Sequence, residues 1–361
     1  MPQRQNHQRY NNRLPTLNIA LLPGDGIGAD VVEQTVRVLR AIETVLPDLH
    51  FDCTEYSVGA GEYLKSGDPL PPATLDKIAQ HDAILLGAMG LPSVRWPNGV
   101  EMTPQIDIRE KLDLFCGLRP IRLYHSNDTP LKGVDFIDFL LVRESTEGLF
   151  WKRRETYALD QAEAFDTMRI SRAGSVRLFR SAFDQAMLRR KKVTLVDKAN
   201  VLPSMAYFRG IFDEIAREYP QVETERVYVD AMSLFLVQRP QTYDVLVTEN
   251  MFGDILSDLA AGLIGGMGMA PSSDIGPKHA VFQPSHGSAP DIAGKGIANP
   301  VATILSARMM LEWWNQPQAA ALIESAVKDV FADPKNRTRD MGGSVSTEAM
   351  GTLVVDRILA G

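Results

Sequence analysis

Residues 191–265 read KKVTLVDKANVLPSMAYFRGIFDEIAREYPQVETERVYVDAMSLFLVQRPQTYDVLVTENMFGDILSDLAAGLIG. Three short apolar runs stand out: Val193–Val196, Arg226–Val229 and Tyr243–Val247. Each is strand-length, and each gives way to a stretch with helical period: about 204–218, then through Leu236, then 252–263. Strands alternating with helices predict an α/β protein with much parallel sheet. In such sheets ligands bind beyond the carboxyl ends of the strands. Here the strands run into Lys198, Asp230 and Asn250, so ionisable and amide groups stand where a site would lie. Ordinary turn chemistry accounts for any one of the three, and less well for all of them together.

The pattern continues on both sides. Leu17–Leu22 is a strand, followed by a glycine-rich turn and a helix over about 29–45. Ala83–Leu86 and Ile137–Val142 read as buried strands, the second ending at Arg143 and Glu144. Residues 265–300 are rich in Gly, Ser and Pro without helical period, which predicts a functional loop with strands interspersed. Ala302–Trp314 and Thr347–Leu359 are helical.

A chain of 361 residues has room for two lobes at about 150 residues per domain. Its 45% hydrophobic and 23% charged content is that of a soluble globular protein. The net charge of −7 offers no basic face for nucleic acid or an anionic membrane. No run approaches the roughly 18 apolar residues of a membrane span. Cys53 and Cys116 lie far apart without metal or disulfide spacing, as in a reducing cytoplasm. The opening MPQRQNHQRYNNRLPTL has no apolar core, so residues 1–16 are expected to be a disordered tail rather than a secretory signal.

Four local patterns carry chemistry. Pro23-Gly-Asp-Gly-Ile-Gly28 follows a strand and opens a helix, but its spacing is GxGxG and not the dinucleotide GxGxxG. A tight turn explains it as well as a cofactor contact. Asp254 and Asp258 stand at i and i+4 near a helix start. The helix dipole accounts for Asp254 and less well for Asp258. With Asp230 they offer three hard oxygen ligands suited to Mg²⁺ or Mn²⁺. Arg109, Arg119 and Arg143 form salt bridges in the bland reading; a dicarboxylate would instead take their planar, bidentate donors. His286-Gly-Ser-Ala-Pro-Asp-Ile-Ala-Gly-Lys-Gly-Ile-Ala-Asn299 is rich in small residues that let backbone N–H groups approach a ligand. An acidic side chain there would accept from a ribose hydroxyl and repel a 2′-phosphate.

Together, VDKAN (196–200), YVDAM (228–232), FGDILSD (252–258) and HGSAPDIAGKGIANP (286–300) resemble the β-decarboxylating dehydrogenases. That family includes the 3-isopropylmalate, isocitrate, homoisocitrate and tartrate/D-malate enzymes. The resemblance runs from about Leu17 to the C-terminus. It implies a two-lobed α/β fold of mixed sheets with helices packed on them, distinct from the Rossmann fold. Residues 1–114 with 265–361 would form the large, cofactor-binding lobe. Residues 115–264 would form the small lobe with the interface of a homodimer. It implies that Arg109, Arg119 and Arg143 hold the substrate carboxylates. Asp254 and Asp258 would bind Mg²⁺ or Mn²⁺ with Asp230 of the partner subunit. Lys198, also reaching into the partner's site, would help remove the hydroxyl proton, directly or through water, which a lysine does near neutral pH only where burial and nearby cationic charge lower its pKa. Asp291 and Ile292 resemble the NAD-specific form of the loop. Asn200 would meet the nicotinamide, and His286, Gly287, Ser288, Ala289 and Asn299 the adenosine.

Two departures qualify the resemblance. The family has a proton-donating Tyr seven residues after the Arg of its R-E motif, where this chain has Phe150. Water, another side chain such as Tyr157, or nothing at all would take that role. Gln105 and Ile106 stand where an isopropyl pocket would show a Leu-Leu pair. A buried unpaired amide beside two methyls costs on the order of 1–3 kcal/mol. The leading expectation is therefore NAD- and metal-dependent oxidative decarboxylation of a 3-substituted malate, with 3-isopropylmalate first and tartrate, D-malate, isocitrate or homoisocitrate as alternatives. A catalytically reduced regulatory subunit is the competing reading that Phe150 favours, and the intact Lys198, Asp230, Asp254 and Asp258 argue against it. A metal-free Rossmann dehydrogenase is the third.

Overall fold

The computed structural model describes residues 16–153 and 156–361. The expected tail lies outside the described residues, except that Thr16 already opens a strand. The chain runs β1 (Thr16–Gly24), α1 (Gly28–Val45), β2 (His50–Glu55), α2 (Ala60–Ser66), α3 (Pro72–Ile78), β3 (Ala83–Ala88), α4 (Pro104–Lys111), β4 (Cys116–Arg122) and β5 (Asp138–Glu144). It continues with α5 (Arg172–Met187), β6 (Lys192–Asp197), α6 (Pro203–Ala216), β7 (Glu223–Tyr228), α7 (Val229–Gln238), β8 (Val245–Thr248) and α8 (Asn250–Gly262). Last come β9 (Pro271–Ile275), β10 (Ala280–Pro284), α9 (Val301–Trp313), α10 (Pro317–Ala332) and α11 (Thr347–Ala360).

The strands join into one ten-stranded sheet, ordered β2-β1-β3-β10-β9-β4-β5-β8-β6-β7. Both flanks are parallel, as the strand–helix alternation predicts, whereas β10, β9, β4 and β5 pair antiparallel at the centre. That antiparallel centre separates the fold from the all-parallel Rossmann sheet. The expected mixed sheet with helices packed on it is borne out, and among the described residues the pairing of β9 with β4 joins all ten strands into one. Strands β3 and β8 are buried along their whole length, since helices cover both faces. Phe179, Phe183, Phe208 and Phe212 interlock α5 with α6, with ring centroids 4.5 to 5.4 Å apart.

Local details differ from the sequence reading in instructive ways. Asp230 does not end a strand: β7 stops at Tyr228, and Asp230 lies in the first turn of α7. The run 265–300 holds β9 and β10, short strands whose Pro, Ser and Asp content masks them. No helix among the described residues is long and apolar enough to cross a membrane.

Candidate active site

The Gly24–Gly28 turn is structural. Asp25 accepts hydrogen bonds from the backbone of Ala60 (2.8 Å), Gly61 (2.8 Å) and Gly90 (2.7 Å). Gly26 has φ 59°, and a Cβ there would sit 2.0 Å from the carbonyl oxygen of Ser288. That close approach lets Ile27 donate to the same carbonyl at 2.8 Å, tying the turn to the 286–299 loop. The motif thus positions the 286–299 loop, and its Ile27 also stands in the wall of the cleft beside it.

Beyond this turn, a cleft of about 600 Å³ is lined by Ile27, His286, Ala289, Asp291, Ile292 and Asn299, with Lys295 and Arg339 among the others. Asn299 is committed inside the protein: its Oδ1 accepts from Val301 (3.1 Å) and its Nδ2 donates to Asp340 (3.3 Å). Ser288, expected at the cofactor, turns the other way and donates to the carbonyl of Gly90, so it fastens the loop. Gly287 lines the neighbouring cavity instead. Ala289 has φ 35°, a costly conformation for a residue with a Cβ, and it stands at the cleft wall.

The neighbouring cavity, of about 230 Å³, has His286 in its wall as the cleft does, so the two lie side by side. Arg109 from α4, Arg119 from β4 and Arg143 from β5 line it, facing Asp254 and Asp258 from α8. Gln105, Phe150, Gln283 and Ser285 also line it. Arg143 is held from two sides. Its Nε and Nη2 donate to Asn250 Oδ1 (3.0 and 2.7 Å), and its Nη1 pairs with Asp254. Gly253 makes this packing possible, because a Cβ there would lie 2.7 Å from the Arg143 side chain. Burial pulls the Arg143 guanidinium below its ordinary pKa, against the charge of Asp254. Burial likewise pulls Arg119 down to about 10, partly offset by Asp274 and reinforced by Arg143 and Arg109. Both remain cations at neutral pH. Guanidiniums crowded in a buried cavity are an anion site.

Three buried polar atoms on this cavity lack a partner among the described residues: Gln105 Oε1, Arg119 Nε and His286 Nε2. Buried polar atoms are normally paired, so these fit a bound molecule. Burial holds His286 below its ordinary pKa, leaving its ring neutral. On α8, partial burial and then the charge of Asp254 push the Asp258 carboxyl above its usual range. Two carboxylates one helical turn apart, each raising the cost of the other, have the character of a cation site with hard oxygen donors. Among the described residues, no set of three His, Cys, Asp or Glu side chains could hold a metal within one chain.

Lys198, Asp230 and Asn200 line neither cavity. Lys198 donates to Asp230 at 2.5 Å across the ends of β6 and β7, and that hydrogen bond holds the Asp230 carboxyl below its usual pKa. Asn200 is exposed on the same turn as Lys198. Tyr157 is also absent from the cavity, and its hydroxyl donates to the carbonyl of Phe165 (2.6 Å). Phe150, carried on the turn Leu149–Lys152, does line the cavity, with the Arg143 guanidinium 5.7 Å from its ring centre.

Sequence reasoning misses Asp274. This fully buried carboxylate on β9 accepts from Arg109 Nε (3.0 Å), Ser145 Oγ (3.0 Å) and Gln283 Nε2 (2.7 Å). Burial disfavours its charge, yet Arg109, Arg119, Arg143 and Ser145 together hold it below the usual carboxylate range. An Asp in the run PSSDI is its only signal, hidden in a stretch that reads as loop.

A family model described as isocitrate/isopropylmalate dehydrogenase matches residues 18–354. The chain belongs to that family. It is accordingly a dehydrogenase, and of its four motifs FGDILSD and HGSAPDIAGKGIANP contribute residues to the two cavities, whereas VDKAN and YVDAM do not. A 3-isopropylmalate dehydrogenase from Streptomyces griseus is 43% identical over 352 residues, covering 95% of this chain and 99% of the relative. One from Moorella thermoacetica is 45% identical over 353 residues, covering 93% and 97%. The crystal structure of an isocitrate dehydrogenase from Methylococcus capsulatus superposes with a TM-score of 0.86 at 40% identity, covering 95% of this chain and 99% of that one. A β-decarboxylating dehydrogenase from Thermococcus kodakarensis, in its apo form, gives 0.79 at 36% identity over 95% and 96%.

Proposed function

We propose that this protein oxidises the 2-hydroxyl of a 3-substituted malate with NAD and releases the C3 carboxylate as CO₂, in the cytoplasm, as a homodimer with shared sites. The observation that carries the reading is the pair of adjacent cavities: an arginine-lined pocket facing two carboxylates and, on the other side of His286, a cleft of about 600 Å³. The strand order supports the two-lobed division, since β2, β1, β3, β10 and β9 come from 1–114 with 265–361, and the others from 115–264.

In this reading Arg109, Arg119 and Arg143 bind and orient the substrate carboxylates by paired hydrogen bonds. Asp254 and Asp258, with Asp230 of the partner subunit, would hold Mg²⁺ or Mn²⁺, and such a cation would supply Lewis acidity for the carbonyl and enolate oxygens. Lys198 of the partner subunit takes the hydroxyl proton at its Nζ. Ala289, Asp291 and Ile292 line the cleft that would take the adenosine, where the Asp291 carboxylate would accept from a ribose hydroxyl and repel a 2′-phosphate. Phe150 lines the cavity beside Arg143 and has no proton to give, so the enolate carbon takes its proton from water.

The names of the relatives favour 3-isopropylmalate as substrate. A second reading rests on Gln105, whose buried Oε1 has no partner and asks for a hydrogen-bond donor on the C3 group. A kinetic panel with Mn²⁺ and NAD decides, using 3-isopropylmalate, D-malate, tartrate, isocitrate and homoisocitrate and following both NADH and CO₂. NADH without CO₂ would refute the decarboxylation, and no NADH from any of them would refute the substrate class.

A further inference from the structure

The three guanidiniums of the small cavity are not free to the same degree. Arg109 is tied by its Nε to Asp274 (3.0 Å), and Arg143 is paired with Asp254. Arg119 has no carboxylate hydrogen-bonded to it among the described residues and donates to Ser285 (2.9 Å). Space for the Asp274 carboxylate is built into the sheet. β9 pairs with β4 so that Asp274 stands opposite Gly117, and a Cβ at Gly117 would meet Ser145 Oγ at 2.8 Å and Asp274 Oδ1 at 3.2 Å. Ser145 and Gln283 donate to the carboxylate from two sides, which keeps it ionised beneath Arg109.

Charge can then be counted around the cavity. Arg109, Arg119 and Arg143 are balanced by Asp254, Asp258 and Asp274, while His286 is neutral. For an unreactive ligand the Lys198–Asp230 ion pair, if brought up by a partner subunit, adds nothing to the balance; Asp230's charge is left over only when Lys198 acts as a neutral base during turnover. A divalent cation bound with a dianion leaves the site neutral. A trianion leaves one negative charge buried without a counter-ion, which is costly.

We propose that Asp274 determines specificity by charge: acting through Arg109, it sets the pocket to accept a dicarboxylate and to turn away a third carboxylate on the C3 group. This rests on the small cavity being the hydroxy-acid site. It narrows the substrate to malates whose C3 substituent is uncharged. Asp274 is a positioning residue rather than a catalytic one, since Arg109 lies between it and the cavity.

Asp274→Asn removes the charge at nearly constant shape. Its amide oxygen can still accept from Arg109 and Gln283, and its nitrogen can donate to the Ser145 hydroxyl. The probes are succinate and tricarballylate, inert di- and tricarboxylates, titrated with Mn²⁺ present by their effect on the melting temperature. The unsubstituted protein is expected to bind succinate about tenfold more tightly than tricarballylate, and Asp274→Asn to close or reverse that gap. Ser145→Ala, which removes a hydrogen bond but no charge, is expected to keep the preference. Equal or tighter binding of tricarballylate to the unsubstituted protein overturns the proposal, whether or not the variant folds. So does an unchanged preference in folded Asp274→Asn. Because neither probe reacts, discrimination without turnover of any malate would sink the proposed activity and leave this inference standing.

Discussion

If Lys198 and Asp230 serve the neighbouring subunit, two inactive variants must rescue each other. Lys198→Ala removes the base, and Asp258→Asn removes a cation ligand; Asp258 is a cleaner target than Asp254, which also holds Arg143. Loss of acid–base assistance alone typically lowers the rate by about 10² to 10⁴-fold, so each parent should be near background. In a mixed dimer, one site combines the intact Asp258 of the first chain with the intact Lys198 of the second. The other site carries both defects. A random mixture holds half its chains as mixed dimers with one working site of two, which predicts about one quarter of the unsubstituted activity. Purified by two different tags, the mixed dimer should show about one half. The assay is NADH appearance with Mn²⁺ after the parents are co-expressed. Were both residues to act within their own chain, every site in the mixture would carry one defect. A purified mixed dimer no faster than the better parent would therefore refute the shared site. The structural reason to expect rescue is that Lys198 and Asp230 pair with each other at 2.5 Å and line neither cavity.

Three further expectations follow from the same geometry. Phe150→Tyr places a phenol beside Arg143 and should raise turnover by about tenfold or more if slow protonation of the enolate limits the rate; a variant no faster than the parent with its best substrate argues that another step does. Treatment with EDTA should abolish NADH formation and Mn²⁺ restore it, with a matching rise in melting temperature; full activity in the chelated protein would remove Asp254 and Asp258 from the chemistry. Burial pushes the Glu144 carboxyl up to about 7, against the hydrogen bonds from Thr146 and Glu147. The folded state thus binds this proton more tightly than the unfolded one, so Glu144 makes stability fall as pH rises from the ordinary value of 4.5 through 7. Melting curves of Glu144→Gln should be flatter over that window, and curves parallel to the parent's would contradict the assignment.

Much of the site is legible in the sequence. Arg109, Arg119 and Arg143 do converge on one cavity with Asp254 and Asp258. The glycine turn at 24–28 is open to two readings by its spacing, and the contacts of Asp25 and Gly26 decide for the structural one. Ser288 and Gly287 fall to the adenosine by resemblance, because residues in a loop carry no direction in the sequence; the hydrogen bond to Gly90 turns Ser288 inward. Tyr157 is a candidate proton donor by type alone, and its bond to Phe165 withdraws it.

What sequence alone determined was local: apolar period, strand ends, and the i, i+4 spacing that puts Asp254 and Asp258 on one face of α8. These follow from backbone geometry within a few residues. What only the tertiary structure decided was which distant groups meet. Arg109 and Asp274 are 165 residues apart and touch because β9 lies antiparallel to β4. Strand pairing is set by burial summed over the whole sheet, so no short stretch of the chain encodes it. The charge balance of the pocket, unlike its list of ligands, exists only once that pairing has formed.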